Sequence, residues 1–288
     1  MSLITAGISF TYQPKSPYET HVLKDINLEI KEGEFVGLIG HTGSGKSTLI
    51  QHFNGLLKPS TGKVFVDGQD ITIKGTKLKG IRQKVGMVFQ YPEHQLFEET
   101  VFKDIAFGPE NMGLNPQLIA KRVKNAMRLV DLDYARYRDV SPFSLSGGEK
   151  RRAAIAGVLA MNPRYLILDE PTAGLDPRGR EEILDRIVKI HRDEGITVIL
   201  VSHNMDDVAR LVERLVVINQ GEVVYDNPTR QVFAEYEVLQ KIGLDIPSVT
   251  RLMLRLQEKG WPVRSDILTI EEAKDEIMKI KRGGRADA

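Results

Sequence analysis

Cysteine is absent from all 288 residues, and its absence removes several classes of site at once. Disulfides, thiolate nucleophiles and zinc sites built on sulfur are excluded. An excess of charge of either sign is missing too, since 40 basic and 39 acidic side chains leave a formal net charge of +1. Proteins that bind nucleic acid or anionic lipid through their overall charge carry a larger excess. We therefore expect an ordinary globular protein without a nucleic-acid partner.

Long hydrophobic runs and a secretion signal are also missing. The longest apolar stretches, such as residues 215–218, fall far below the roughly 20 residues of a membrane-spanning helix. The N-terminus has neither a basic nor an apolar leader segment and continues directly into a strand pattern. This predicts a protein that is soluble, or peripheral to a membrane through a partner.

Two kinds of strand pattern follow each other along the chain. Residues 8–12 and 22–30 alternate between apolar and polar types on either side of Pro14 and Pro17, which predicts antiparallel strands. From Phe35 onward, continuous apolar runs are typical of a parallel sheet buried on both faces. These runs cover residues 35–39, 165–168, 197–201 and 215–218.

Helical spacing replaces the strand patterns in two regions. The first begins after residue 90, and we expect a helical subdomain at about residues 91–160 within a domain of residues 1–233. The second is a helical appendix of residues 234–288, with a frayed end from residue 281. A capping box at residues 269–272 opens its last helix. An apolar stripe precedes that box, made of Val249, Leu252, Met253 and Leu256.

A phosphate loop lies between the first continuous strand and a helix. The segment matches the pattern G-x-x-x-x-G-K-S/T, in which backbone N–H groups surround phosphate oxygens at a helix N-terminus. Lys46 reaches the β and γ phosphates, and the hydroxyl of Ser47 serves Mg²⁺. The predicted ATP-binding residues here are Gly40, His41, Thr42, Gly43, Ser44, Gly45, Lys46, Ser47 and Thr48.

Two carboxylates end the strand of residues 165–168. Strand ends are often acidic, so the pair is informative mainly because a phosphate loop is present as well. Asp169 is placed to hold Mg²⁺, as a carboxylate at the carboxyl end of a strand beside such a loop. Glu170, one residue farther along, is placed to accept a proton from an attacking water.

The segment of residues 145–149, Leu-Ser-Gly-Gly-Glu, resembles the signature motif of ABC ATPases, whose usual last residue is glutamine. Further family motifs follow the expected order: an aromatic at Tyr12, a Q-loop glutamine at Gln90, a D-loop at residues 173–176 and a switch histidine at His203. The resemblance covers residues 3 to about 230. It implies the α/β fold of a P-loop NTPase of the ABC type. That fold combines a mixed sheet core with an antiparallel β subdomain and a helical subdomain, here joined to the small C-terminal helical appendix.

The same resemblance implies a role for each motif. Tyr12 stacks on adenine, and Gln90 contacts Mg²⁺ and the attacking water. His203 hydrogen-bonds the γ-phosphate, and Asp176 couples the two sites of a dimer. Ser146, Gly147 and Gly148 begin a helix whose N-terminus is offered to the γ-phosphate held by the other subunit.

Simpler interpretations remain open for some of these residues. Tyr12 can be an aromatic on a strand face, and His203 a structural histidine. Glu149 departs from glutamine at a position that contributes little to phosphate binding. Arg151 and Arg152 are expected on a solvated helix face.

Within the family, residues 90–101, 106–111 and 169–180 resemble the ATPases of energy-coupling factor importers for vitamins and metals, in particular the second ATPase of the pair and the related cobalt-importer ATPases. The resemblance implies a second ATPase subunit, identical or homologous, a transmembrane coupling protein and a substrate-binding membrane protein. It places the chain at the cytoplasmic face of the cell membrane as a peripheral subunit.

Residues 91–97 are the predicted docking surface for a coupling helix, with burial inside the helical subdomain as the alternative. The apolar stripe of the appendix is expected to lie against the ATPase core or against the tail of the opposite subunit.

Other functional classes fit less well. A DNA-repair or chromosome ATPase of this superfamily needs long heptad arms or zinc-binding inserts, and a tandem ribosomal ATPase needs a second phosphate loop and signature. The sequence has none of these. A nucleotide-binding regulator without hydrolysis would lack Glu170 or His203, and both are present.

Overall fold

The structure is a computed structural model that describes residues 1–283. Its contacts divide the chain into two compact units. The first unit contains residues 1–34 and 47–201, and the second contains residues 35–46 and 202–288.

An antiparallel sheet forms the N-terminal part of the first unit. Its strands are β1 (Ser2–Tyr12), β2 (Thr20–Lys31), β4 (Thr61–Val66) and β5 (Gln69–Asp70), in the order β2-β1-β4-β5. The alternating pattern of residues 8–12 and 22–30 therefore predicted β1 and β2 correctly. Leu3, Ile8 and Ile26 of this sheet are fully buried. The helix α1 (Lys46–Phe53) precedes β4.

Parallel strands form a second sheet region in the first unit. Strand β7 (Tyr165–Asp169) pairs in parallel with both β6 (Val85–Val88) and β8 (Thr197–Val201). Every residue of these strands is buried, as their continuous apolar runs predict. The helices α2 (Leu78–Lys84) and α7 (Pro177–Glu194) belong to the same unit.

The expected helices between residues 91 and 160 are present. They are α3 (Val101–Asn111), α4 (Pro116–Leu129), α5 (Tyr134–Tyr137) and α6 (Gly147–Leu159), with 3₁₀ turns at Pro92–Gln95 and Pro142–Ser144. Helix α4 begins with two residues favoured at helix starts: Pro116 lies in the first turn, and the Asn115 side chain accepts a hydrogen bond from Leu118 N–H.

The second unit contains three strands of mixed direction. Strand β3 (Phe35–Ile39) pairs in parallel with β9 (Arg214–Asn219), which pairs antiparallel with β10 (Glu222–Pro228). Helices α8 (Met205–Leu211) and α9 (Thr229–Ala234) accompany these strands. No strand follows β10 in the part of the chain that the structure describes.

The appendix folds into α10 (Tyr236–Lys241), α11 (Ser248–Glu258) and α12 (Ile270–Gly283). Thr269 accepts a hydrogen bond from Glu272 N–H, so the predicted cap is present. Glu272 accepts from Leu268 N–H instead of completing the box at Thr269. The end expected to fray from residue 281 is helical up to Gly283, and residues 284–288 lie outside the described residues.

The cover of the apolar stripe differs from both expectations. Val249 and Met253 are buried with Val263, Ile267 and Ala273, and Leu256 packs against the same cluster. The stripe is therefore covered by the appendix itself, and only Leu252 stays exposed. The connecting segment between α11 and α12 therefore contributes Val263 and Ile267 to the cover, and α12 contributes Ala273.

Hydrogen bonds attach the appendix to other helices of the second unit. Asp206 of α8 accepts from Ser248 N–H and Ser248 Oγ at 2.7 and 2.8 Å. Arg230 of α9 donates to Glu272 Oε1 at 2.6 Å. Among residues 1–283, no helix combines the length and apolar character needed to cross a membrane.

Candidate nucleotide-binding site

The phosphate loop follows β3 in the second unit. A Cβ atom at Gly40 would lie 2.3 Å from the carbonyl oxygen of Ile218, so only glycine allows the loop to leave the strand here. Gly43 has φ +80°, and a side chain there would meet no atom within 4 Å. Lys46 Nζ donates to the carbonyl oxygens of Gly40 and His41 at 2.7 and 3.0 Å, across the loop.

Ser44 supplies a further sign that the loop is shaped for a ligand. Its Oγ is buried and has no hydrogen-bond partner among the described residues. A buried hydroxyl without a partner costs free energy, and phosphate oxygens are suitable acceptors for it. The loop therefore fits the triphosphate that its sequence predicts.

Ser47, Thr48 and Tyr12 belong to the first unit. Ser47 is exposed in the first turn of α1, whereas Thr48 is buried. Tyr12 Oη lies 3.3 Å from Thr48 Oγ1, and the Tyr12 ring packs edge-on against Phe10 at 4.8 Å between centroids. Because Tyr12 is partly exposed at the end of β1, its ring face can stack on a base, and it also serves as a strand aromatic.

Gln90 and Glu170, far apart in the sequence, meet in the first unit. Gln90 follows β6, Glu170 follows β7, and these strands are parallel neighbours. Gln90 Nε2 donates to Glu170 Oε2 at 2.9 Å. Glu170 has a φ of +48°. Tyr91, which directly follows Gln90, has a φ of +56°. Non-glycine residues rarely adopt this left-handed region, and such strain concentrates at functional sites.

The residues predicted to hold Mg²⁺ suit that ion chemically. Ser47, Gln90 and Asp169 offer a hydroxyl, an amide oxygen and a carboxylate, which are the hard oxygen ligands that Mg²⁺ prefers. Asp169 is buried at the carboxyl end of β7. No cluster of three or more acidic or histidine ligands exists among residues 1–283.

The signature segment begins α6 as predicted. Ser146 is the N-cap and forms a capping box with Glu149. The backbone amides of Gly147 and Gly148 occupy the first turn, where amides have no intrahelical acceptor. Apart from its chain neighbours and its own helix backbone, no atom of the described residues would lie within 4 Å of a Cβ at either glycine. The helix end is thus open to approach by an anion.

Asp176 and His203 each lie at the start of a helix. Asp176 is the N-cap of α7 and accepts from Gly179 N–H at 2.7 Å. His203 is exposed directly before Asn204, the N-cap of α8, and belongs to the same unit as residues 40–46.

Arg151 is not on a solvated face, contrary to the sequence-based expectation. Its side chain is 1% exposed and forms an ion pair with Glu93. The periodicity of α6 contained a signal for this burial. Arg151, Ile155 and Leu159 are spaced four residues apart and form one buried stripe.

An apolar cavity of about 590 Å³ lies beside the segment that follows Gln90. Its lining includes Leu96, Phe97, Phe107 and Met161. Phe97 is 58% exposed and packs edge-on against Phe107, whereas Leu96 is only 8% exposed. The predicted docking segment is thus divided, because Leu96 is part of the core and Phe97 faces solvent.

Comparison with known proteins gives the same family from sequence and structure. A family model described as ABC transporter matches residues 23–173. The energy-coupling factor transporter ATP-binding protein EcfA2 of Clostridium perfringens is 55% identical over 282 residues, which cover 98% of this chain and 99% of that protein. The protein of the same name from Clostridioides difficile is 56% identical over 284 residues, with 98% and 99% covered.

Solved structures agree with these relatives. The chain is similar to cbiO1 from Clostridium perfringens, described as part of the ABC transporter complex cbiONQ, with a TM-score of 0.74, 41% identity, and 87% of this chain and 98% of that chain covered. It is also similar to a dimeric ATP-binding cassette in a post-hydrolysis state bound to ADP and Pi. That match has a TM-score of 0.70 and 30% identity, and covers 79% of this chain and 98% of the other.

Proposed function

The chain belongs to the ABC transporter family, and on this basis we propose that it binds and hydrolyses ATP as the motor subunit of an energy-coupling factor importer for vitamins or transition-metal ions. The observation that carries hydrolysis is the hydrogen bond of 2.9 Å between Gln90 and Glu170. It places an amide and a carboxylate together at the carboxyl ends of neighbouring parallel strands, where this type of fold binds its ligand.

Each residue of the site has a separate task in this proposal. The backbone of residues 40–45 and the ammonium of Lys46 bind the phosphates, and Tyr12 stacks on adenine. Ser47, Gln90 and Asp169 hold Mg²⁺, which when bound neutralises charge on the phosphate oxygens.

Glu170 is the proton acceptor in this proposal. Its carboxylate accepts a proton from the attacking water, while the amide N–H of Gln90 fixes the orientation of that carboxylate. His203 donates a hydrogen bond to the γ-phosphate and stabilises the charge that develops there.

A second ATPase subunit completes the site. Ser146, Gly147 and Gly148 form an open helix N-terminus that is suited to a γ-phosphate held by another subunit, either a copy of this chain or a homologous one. Asp176 lies at the dimer contact. A transmembrane coupling protein and a substrate-binding membrane protein hold the pair at the cytoplasmic face of the cell membrane.

Replacing Glu170 with glutamine tests the hydrolysis proposal. Glu170→Gln keeps the shape of the side chain but removes the proton acceptor, so turnover should fall by roughly 10²-fold or more while ATP binding persists and a closed dimer accumulates. ATP turnover and size in solution are the measurements. Lys46→Ala is the contrasting variant, because it should weaken ATP binding itself. Undiminished turnover of Glu170→Gln in the assembled complex would remove Glu170 from the role of base.

A further inference from the structure

The guanidinium of Arg151 binds two separate segments from its buried position in α6. Its Nε and Nη2 donate to the two carboxylate oxygens of Glu93 at 3.0 and 2.6 Å. Its Nη1 donates to the carbonyl oxygens of Pro171 and Ala173 at 3.0 and 2.8 Å. Three segments distant in sequence therefore meet at one planar cation.

These contacts are adjacent to the residues that carry the proposed hydrolysis. Glu93 lies three residues after Gln90, and Pro171 directly follows Glu170. The loop at Glu170 is also held by its own backbone, since Glu170 N–H donates to Val201 O and Ala173 N–H donates to Glu170 O. Arg151 thus binds a side chain in the turn after Gln90 and the backbone of the loop after Glu170.

The contacts of Arg151 form a coupled set. A buried guanidinium is costly unless its donors find acceptors, and here a bidentate carboxylate and two carbonyl groups supply them. Burial opposes ionisation of Glu93, but the hydrogen bond and the charge of Arg151 outweigh it and lower the pKa of that carboxyl. Loss of the Glu93 carboxylate would therefore leave two donors of the buried guanidinium without their acceptor.

The backbone conformation of Glu170 requires such support. Its φ of +48° lies in a region that costs free energy for any residue with a side chain. A loop in this state persists only when its surroundings hold it there, and the carbonyls that Arg151 binds lie one and three residues beyond Glu170.

We propose that Arg151 is a positioning residue for ATP hydrolysis, which holds the Glu170 loop and the turn after Gln90 in the arrangement where these two side chains meet. This inference rests on the proposed function, because Arg151 acts through Glu170 and touches no substrate.

The substitution Arg151→Lys tests the inference in the assembled complex. Lysine keeps the charge but lacks the planar fork that binds Glu93 and both carbonyls at once. We expect kcat to fall on the order of 10-fold to 10²-fold, as for a displaced catalytic group, with KM for ATP within about 2-fold of the parent. Arg192→Lys is the matched control, since this arginine of α7 has a side chain that is 72% exposed and lies 3.1 Å from Asp193, and its replacement should leave kcat within about 2-fold.

A double substitution separates positioning from a general loss of folded protein. In the Glu170→Gln background, Arg151→Lys should lower the residual single-turnover rate no further, because the group through which it acts is already gone. An equal fall in both backgrounds, a raised KM with unchanged kcat, or parental turnover of Arg151→Lys overturns the inference.

Two further results keep the outcome clear. If Glu170→Gln retains parental turnover, the proposed base is wrong, whereas an inactive Glu170→Gln with a fully active Arg151→Lys defeats only the role of Arg151. If Arg151→Lys does not fold, Glu93→Gln replaces it, since it keeps the volume and the carbonyl contacts. It should lower kcat by about 3-fold to 10-fold with the same non-additivity, and parental turnover of this variant contradicts the inference.

Discussion

Glu149 occupies the position where the signature motif usually has glutamine. Its carboxylate accepts three hydrogen bonds. Tyr137 Oη donates at 2.5 Å, Ser146 Oγ at 2.7 Å and Ser146 N–H at 2.8 Å. The hydrogen bond from Tyr137, followed by those from Ser146, lowers the pKa of Glu149 to about 2. The ionised side chain therefore stabilises the N-terminus of α6 as a cap.

The pH dependence of stability follows from this shift. The pKa of Glu149 is lower in the folded chain than its ordinary value of 4.5. Its contribution is therefore present above that ordinary value and is lost as the pH falls from there toward 2. Glu149→Gln should lower the free energy of unfolding at pH 7 by about 1 kcal/mol, the difference between charged and neutral hydrogen bonds.

Denaturant unfolding of the parent and of Glu149→Gln at pH 7 and at about pH 4 checks this prediction. The difference between the two proteins should shrink at the lower pH. The exposed Glu258→Gln serves as the control and should change little at either pH. A difference that grows with acidity would contradict the cap.

Helices α3 and α6 line the apolar cavity together with the segment after Gln90. Asp104 of α3 holds that segment by accepting from Phe97 and Glu98 N–H at 3.3 and 3.1 Å. Phe97 is thus a positioned aromatic at the rim of an apolar cavity, which is the composition of an interface anchor. We propose that a coupling helix of the membrane partner docks here.

Phe97→Asp tests the docking surface. Because Phe97 is exposed, this variant should fold and keep basal ATP binding, but lose co-purification with the membrane protein and lose uptake. Ile73→Asp is the control, with a similar exposure of 59% outside the cavity lining, and it should still assemble. Leu96→Asp is unsuitable, since a charge at this buried position destabilises the fold. Normal assembly of Phe97→Asp would place the partner elsewhere.

The appendix of residues 234–288 carries apolar side chains that lie outside its buried cluster. Leu252 is 48% exposed and Ile270 is 75% exposed. Both side chains are available for contact with another subunit. We propose that this appendix helps to hold two ATPase subunits together when no nucleotide is bound.

The double variant Leu252→Glu with Ile270→Glu tests this proposal. Both side chains lie outside the buried cluster, and glutamate in the first turn of α12 is favourable to the helix dipole, so the fold should persist. Without nucleotide, the variant should sediment as a monomer at concentrations where the parent is a dimer. With ATP in the Glu170→Gln background, both should form the closed dimer. Equal association of parent and variant without nucleotide would rule out this role for the two side chains.

Features encoded by neighbouring residues could be predicted from the sequence. The phosphate loop, the caps at Asn115 and Ser146 and the strand ending in Asp169 depend on backbone geometry within a few residues. Strands also carry their own hydrophobic pattern, and for this reason the buried strands at residues 165–168 and 197–201 were predicted correctly.

Contacts between distant segments could not be predicted in this way. Arg151 and Glu93 are separated by 58 positions, and Gln90 and Glu170 by 80. The hydrophobic pattern indicates which side chains are buried, but it does not indicate which chain segment covers them. The division between buried Leu96 and exposed Phe97, and the cover of Met253 by α12, arise only when helices pack in three dimensions, because packing and hydrogen bonding depend on distances that local periodicity does not encode.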